Sequence, residues 1–494
     1  MKFVLKIAGF FAILVVLLFD LSSCKKDKLI TDSGAKIQFS QDSVLFDTVF
    51  TTIGSSTKNI RIRNKNSQRI KISSIQLQGG SASSFIINVD GVKGTSFTDV
   101  EIAAHDSMYI FIQVNVNPTN TNSPLIITDA LNFSVNGNNQ VLHLEAWGQD
   151  AYYHRPTDAI TFSDGSYLAY STISTQTNVT VTWNNDKPHV IYGYLVVDST
   201  QKLIINAGVR VYLNNKAGLW VFRYGELQVH GLKGNEVTFT GARRDADFVN
   251  EPGQWDRIWI NEGSVNNEID YAIIKNGYIG VQAELIGNNF SDPRRLKITN
   301  TKIQNMSYWG FYGSAFNVYG ANNVFSDCQE YSANLTLGGK YTFLNCTFSN
   351  FWNQSDKARD KPTLNINNHS DLQVLPLDSA YFGNCIIDGT FTNEINLDLD
   401  YSNTTAQPVF IFSSSWLRTT NTVSDTNKYK SVRTGSSLNY HNTGTYDFSL
   451  PTSETQVQGF TSGRAQTDAA KFPFDINNHA RNTNSVTAGA YEVN

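Results

Sequence analysis

Between residue 36 and about residue 150 apolar and polar positions alternate. Ile60 and Ile62 interleave with Arg61 and Arg63, Ile70, Ile75 and Leu77 follow, and Met108, Ile110, Ile112, Val114 and Val116 make one long run. Successive side chains on a strand point to opposite faces, so this period of two predicts half-buried antiparallel strands. Turn clusters at Gly79-Gly80-Ser81, Asp90-Gly91 and Asn136-Gly137-Asn138 separate them. About seven strands are expected over 36–150, enough for a two-sheet sandwich.

The pattern changes after Tyr152-Tyr153-His154-Arg155-Pro156, which reads as a linker. Short apolar runs now end in Gly or Asn, as in Leu203–Tyr212, Ala217–Val221, Gly225–Gly231 and Val237–Gly241. They follow one another too closely for ordinary hairpins and fit a solenoid. One repeat aligns by eye: an apolar residue, a polar residue two on, a small residue three on and an apolar residue five on. Ile298, Asn300, Thr301 and Ile303 fit it, as do Phe343, Asn345, Cys346 and Phe348, and Phe382, Asn384, Cys385 and Ile387. Ile269, Ala272 and Ile274 fit with Tyr271 at the polar place, and Phe325, Asp327 and Cys328 match the first half. The small positions then lie 29, 27, 18 and 39 residues apart. Each coil of such a solenoid buries its apolar face only by stacking on the next, so equivalent residues recur, and corner asparagines bond to those above and below.

Two family resemblances follow. Ser43–Asp47, Ile60–Asn64 and Ala146-Trp147-Gly148 resemble the immunoglobulin-like modules of the hydin and abnormal-spindle type, which act as spacers or protein-binding units. The coils from Gly208 to Thr240 and the corner asparagines resemble the right-handed parallel β-helix of the pectate-lyase-like superfamily. Asp475–Arg481 and Ala488-Gly489-Ala490-Tyr491-Glu492 resemble the closing coil of such proteins. The expected fold is therefore all-β: an immunoglobulin-like β-sandwich over 36–150, then a right-handed parallel β-helix over 151–494 that ends in a closing coil. The polar stretches 351–378 and 416–444 are expected as excursions from the coils.

Composition agrees, with 30 Phe, 22 Tyr and 34 Gly against 3 Met. A net charge of −4 and a pI near 6.1 give no basic field for nucleic acid. Lys2 and Lys6 precede an apolar run that Asp20 cuts short of a membrane span. Residues 1–23 read as a signal peptide. Its end, Leu21-Ser22-Ser23-Cys24, resembles the lipobox of bacterial lipoproteins, which implies acylation at Cys24 and membrane attachment through lipid. Residues 24–35 would form a tether. A Gram-negative outer-membrane lipoprotein is expected, and Lys25-Lys26-Asp27-Lys28 does not choose between periplasmic face and cell surface.

Candidate chemistry is sparse. Cys328, Cys346 and Cys385 fall on small inward positions, so stacked thiols are preferred to a disulfide, and no metal-ligand spacing surrounds them. Glu394, Asn396, Asp398 and Asp400 alternate with apolar residues, a spacing that suits an acid–base pair, oxygen ligands for Ca²⁺, or an ordinary solvated face. Apart from that Ca²⁺ no cofactor is expected. Arg294, Arg295 and Lys297 match in residue type the cations by which related lyases neutralise a uronate. Trp255, Trp259, Trp309, Tyr312 and Trp352 offer rings for stacking on sugars or for packing. Metalloprotease, serine-hydrolase and nucleotide-binding motifs are absent. The expected function is non-catalytic binding of a glycan or an envelope protein. The alternative is a polysaccharide lyase or glycoside hydrolase with Arg294, Arg295, Asp398 and Asp400 around one cleft.

Overall fold

The computed structural model describes residues 28–51, 54–117, 125–245, 248–287, 289–353 and 357–493. Cys24 lies outside them. The chain forms two compact units, 1–150 and 151–494.

In the first unit the alternating runs form two five-stranded sheets, with ten strands among the described residues rather than seven. One sheet joins Lys58–Arg63, Ser107–Val114 and Phe85–Val89. The other joins Asn138–Gln149, Leu125–Val135 and Ile70–Leu77, with Ser43–Phe50 parallel at its edge. Ile60, Ile62, Ile110 and Ile112 from one meet Ile72, Ile75, Leu131 and Phe133 from the other in a single core.

The second unit is a parallel β-helix of three-strand coils. Tyr152–His154 is no linker: it pairs with His189–Ile191 and opens one of the three faces. Inward residues lie over one another. Leu195, Leu219, Ile258, Val281, Phe311, Ala333, Leu364 and Ile395 form the column of the first face. On the second face Ile269, Ile298, Gly320, Phe343, Phe382 and Phe412 do so, and on the third Ile274, Ile303, Phe325, Phe348 and Ile387. The rings of Phe343 and Phe382 stack at 5.5 Å, and those of Phe382 and Phe412 at 5.0 Å. Excursion 351–378 is shorter than expected, since Leu364–Asn367 is a strand of the first face.

At the corner between second and third faces Tyr271, Asn300, Asn322, Asn345, Asn384 and Ser414 have φ of 46–53°, a region Asn tolerates better than most residues. Asn322 donates to Asn300 at 3.0 Å and Asn384 to Asn345 at 3.1 Å. The residue after each turns inward, giving Ala272, Thr301, Asn323, Cys346, Cys385 and Ser415, at intervals of 29, 22, 23, 39 and 30. Cys328 belongs instead to the other end of the third-face strand, in register with Met306. Both corners place a polar left-handed residue before a small buried one, which is why the sequence pattern merged them.

This inward row explains the thiols. Four buried N–H groups donate to the equivalent side chain one coil on: Ala272 to Thr301 Oγ1 at 3.3 Å, Thr301 to Asn323 Oδ1 at 3.0 Å, Asn323 to Cys346 Sγ at 3.4 Å and Cys385 to Ser415 Oγ at 2.9 Å. All three cysteines are buried and free. Replacing Cys346 by Val should leave the Asn323 N–H unpaired and cost about 1 kcal/mol, while Cys346→Ser keeps an acceptor. Urea midpoints of the two variants test this.

The expected closing coil is not formed. The last paired strand of the third face is Arg433–Thr434, after which the chain leaves the solenoid and forms the helix Gly463–Ala470, capped by Ser462. Residues 488–490 lie on the outer side of the third face, where Gly489 N bonds to Asn384 O at 2.8 Å and Ala490 N to Thr347 Oγ1 at 3.0 Å. The cause is the outward row Val324, Thr347, Ile386 and Trp416, mostly apolar and in register, which water would otherwise cover. Gly489 has φ +99°, and a Cβ there would stand 2.6 Å from Ile386 Cδ1. The buried Arg481 guanidinium pins this segment, donating to Asn322 Oδ1 at 2.8 Å and Gly489 O at 3.0 Å.

Candidate functional site

The first face carries the richest outward chemistry. Between its inward residues runs an outward column in register: Val196, Trp220, Trp259, Gln282, Tyr312, Asn334, Asn365 and Asn396. Its first part is aromatic, with Trp220 and Trp259 stacked at 4.6 Å. Beside it Tyr278, Tyr308, Trp309 and Tyr312 form a second pile, with centroids 4.9, 4.3 and 4.7 Å apart. The last part is an amide ladder, in which Asn365 donates to Asn334 at 2.8 Å and Asn396 to Asn365 at 2.7 Å.

At one edge of the aromatic part Tyr167, Tyr194, Lys216, Asp256 and Tyr278 line a depression of 940 Å³. A hydrogen-bonded chain starts there. The Tyr194 hydroxyl donates to Asp256, whose carboxylate accepts Arg257 Nε at 3.0 Å. Arg257 Nη1 donates to Gln282 Oε1 at 2.5 Å, and Gln282 Nε2 to Glu284 Oε1 at 2.7 Å. Trp259 Nε1 also donates to Glu284, at 2.7 Å. Burial pushes the Glu284 carboxyl above its ordinary range, and burial together with Asp256 pushes the Tyr194 phenol far up. Trp220, Gln282, Asn334 and Asn365 are buried within these stacks, so the groups open to a neutral hydroxyl-rich ligand are the half-buried Trp259, Trp309 and Tyr312 and the exposed Tyr278 and Asn396.

Trp259, Trp309 and Tyr312 share this face, Trp259 stacked on Trp220 and the other two within the second pile. Trp255 does not belong: it is 1% exposed in the core and donates Nε1 to Lys275 O at 2.8 Å. Trp352 is buried as well. Arg294 turns back on its own loop, bonding to the carbonyls of Phe290 and Asp292. Arg295 opens a second-face strand, in register with Asn317 and Lys340, and these line a cleft of 590 Å³. Asp398 ends a first-face strand and meets His369 Nε2 at 3.1 Å. Asp400 lies beyond it, held below its ordinary range by the hydroxyl and N–H of Ser402.

The single cleft expected for Arg294, Arg295, Asp398 and Asp400 is therefore not formed. Arg295 and Asp398 sit on different faces, four coils apart, about 19 Å along the axis at one strand spacing per coil. Nor do Glu394, Asn396, Asp398 and Asp400 make one acidic row. Glu394 is buried against Arg359 at 2.5 Å and accepts the N–H groups of Thr363 and Phe391. Among the described residues no three His, Cys, Asp or Glu side chains come together as metal ligands.

Sequence reasoning missed Tyr194, Arg257, Tyr278, Gln282 and Glu284. A signal was there: Leu219-Trp220-Val221, Ile258-Trp259-Ile260, Val281-Gln282-Ala283 and Phe311-Tyr312-Gly313 share one outward middle position.

No family model matches the chain, and no curated protein does. Solved structures give partial overlaps. A family 123 glycoside hydrolase from Clostridium perfringens overlaps at 8% identity, over 23% of this chain and 26% of that one, with a TM-score of 0.17. The periplasmic chaperone SfaE overlaps at 8% identity over 28% and 71%, and the E. coli chaperone DraB at 6% over 29% and 82%, both with TM-score 0.17. The chain spans about a quarter of the length of the first of these. Overlaps of this size carry no argument about activity.

Proposed function

We propose that the protein is an outer-membrane lipoprotein of a Gram-negative cell, acylated at Cys24, whose β-helix binds a glycan without turning it over. The observation that carries this reading is the first face: ring piles run on into an amide ladder, and its ionisable groups are engaged by neighbours. Asp256 holds Arg257, Glu284 holds Gln282 and Trp259, and Asp398 holds His369. A catalyst needs an acid and a base free to exchange protons with substrate. Rings and amides, by contrast, suit hydroxyl-rich chains. The resemblance to hydin-type modules supports a spacer role for residues 36–150, and the likeness to pectate-lyase-like coils supports a glycan over an envelope protein as partner.

The alternative, a lyase or glycoside hydrolase, draws on Glu284, whose raised carboxyl is the kind of group that serves as a general acid. Incubating the full chain in detergent with neutral and acidic polysaccharides separates the two. Retention without shortened or unsaturated products supports binding, and product formation overturns it. Tyr278→Ala is expected to weaken retention about tenfold, roughly 1.4 kcal/mol, because its ring ends the pile and is 39% exposed. Affinity electrophoresis in the retained polysaccharide measures this.

A further inference from the structure

We infer that the cleft on the second face of the β-helix binds an anionic sugar, one that carries a sulfate ester or a carboxylate. The inference rests on the glycan reading above for its polymer and adds a second contact, around one corner from the ring pile.

Strand register builds the site. Arg295, Asn317 and Lys340 occupy one outward column on successive coils, and Lys297, Tyr319 and Thr342 occupy the next. At one strand spacing per coil Arg295 and Lys340 stand about 10 Å apart with Asn317 between them, and the second column runs about 7 Å away. Leu296, Val318 and Tyr341, the inward residues between the columns, are buried in the core and fix the outward set to the sheet. These six side chains line the 590 Å³ cleft, and no carboxylate does.

Each of the six can donate a hydrogen bond. The side chains of Arg295, Asn317, Tyr319, Lys340 and Thr342 make no hydrogen bond or ion pair among the described residues. Of the carboxylates around the cleft, Glu268 is held by Lys297 at 2.6 Å, and Asp468 by Arg464 Nε and Lys471 Nζ at 2.9 Å each. Asp270 accepts from Thr299 Oγ1 at 2.7 Å and Asn300 Nδ2 at 2.8 Å. Asp378 is exposed at the bulge beside Ser379 and pairs with no cation among the described residues. Arg295 and Lys340 are thus left without a counter-ion. A guanidinium and an ammonium only donate, while an amide and hydroxyls turn either way, so the set is completed by a group of acceptor oxygens. The cleft has about 20 times the roughly 30 Å³ share of one water, too much for a lone inorganic ion.

One strand joins this cleft to the ring pile. Trp309–Ala321 carries Trp309 and Tyr312 on the first face, bends at Ala315, where φ is 49°, and carries Asn317 and Tyr319 on the second. A glycan lying on the rings meets the cleft by turning that corner, and this continuity favours a sugar over an acidic protein segment.

Fluorescein-labelled dextran, dextran sulfate and carboxymethyl dextran share a backbone and differ in charge. They are titrated with the full chain in detergent and followed by anisotropy. An anionic form should bind about tenfold tighter than dextran, the worth of one or two charge-assisted bonds. Arg295→Gln with Lys340→Gln should remove most of that preference, while Lys93→Gln with Lys430→Gln, the same charge change at exposed positions elsewhere, should keep it. The derivative held tighter identifies the charged group. No preference, or one lost equally in both double variants, overturns the anion site alone. Polyglutamate that displaces the labelled polymer as well as dextran sulfate does assigns the cleft to acidic protein and overturns the sugar. The glycan reading fails separately, through absence of retention in the polysaccharide panel above, and takes the inference with it.

Discussion

Asp327→Asn is expected to stabilise the β-helix at pH 8 by up to about 4 kcal/mol and to change it little at pH 4. Asp327 takes the place of an asparagine in the ladder at the corner between third and first faces, where Asn305 donates to Asn276 at 2.8 Å. In the register that sets Gln304 beside Ser326 and Met306 beside Cys328, Asp327 follows Asn305. Asn305 Oδ1 and Asp327 Oδ2 are both buried acceptors without a hydrogen-bond partner among the described residues. One proton on Asp327 would serve both, and burial raises this carboxyl from 3.8 to about 7. The folded state thus binds more protons than the unfolded between these values. The stabilisation is complete below about pH 4 and is lost as pH rises through about 7. An Asn donor is insensitive to pH, so the variant's stability should lack this slope. Urea unfolding from pH 4 to 8 measures it, and parallel curves for the two proteins would refute the neutral carboxyl.

Glu394→Ala should cost about 3–5 kcal/mol, because it strands the Arg359 guanidinium in the core. The pair is bidentate, at 2.5 and 3.1 Å, and neither side chain is more than 2% exposed. Glu394 also closes three local donors, Thr363 N, Thr363 Oγ1 and Phe391 N. Arg359→Met combined with Glu394→Leu removes both charges and should recover part of the loss. In a solenoid each coil contacts only its neighbours, so the effect should show as an earlier thermal transition with trypsin cleavage around residues 357–394. A melt unchanged in Glu394→Ala would return this carboxylate to the list of available acids.

The columns of the solenoid are legible because stacking writes the same residue type at the same place: Ile298, Phe343 and Phe382 declare the second face in the sequence alone. The corner asparagines do so as well, since few other residues tolerate φ near 50°. What failed was phase. Asp327-Cys328 and Asn345-Cys346 look alike in sequence, yet the first ends its third-face strand and the second precedes the third-face strand of the next coil. The site failed for a different reason: Arg257, Gln282 and Glu284 are joined by bonds between successive coils, and loops of unequal length, such as 242–257, hide that neighbourhood. Glu394 shows the converse, for its alternating neighbours promised an outer row, while the Arg359 that claims it comes from a loop 35 residues earlier.

The covering of Val324, Ile386 and Trp416 by residues 435–493 also sets an order of events. A chain synthesised from its N-terminus wraps these coils first and receives their cover last. For that interval a greasy strip faces water, open to proteases and to other unfolded chains. Folding of this protein should therefore gain from an escort that shields such strips, and a stop codon just after Thr434 should leave a product that never stops needing one.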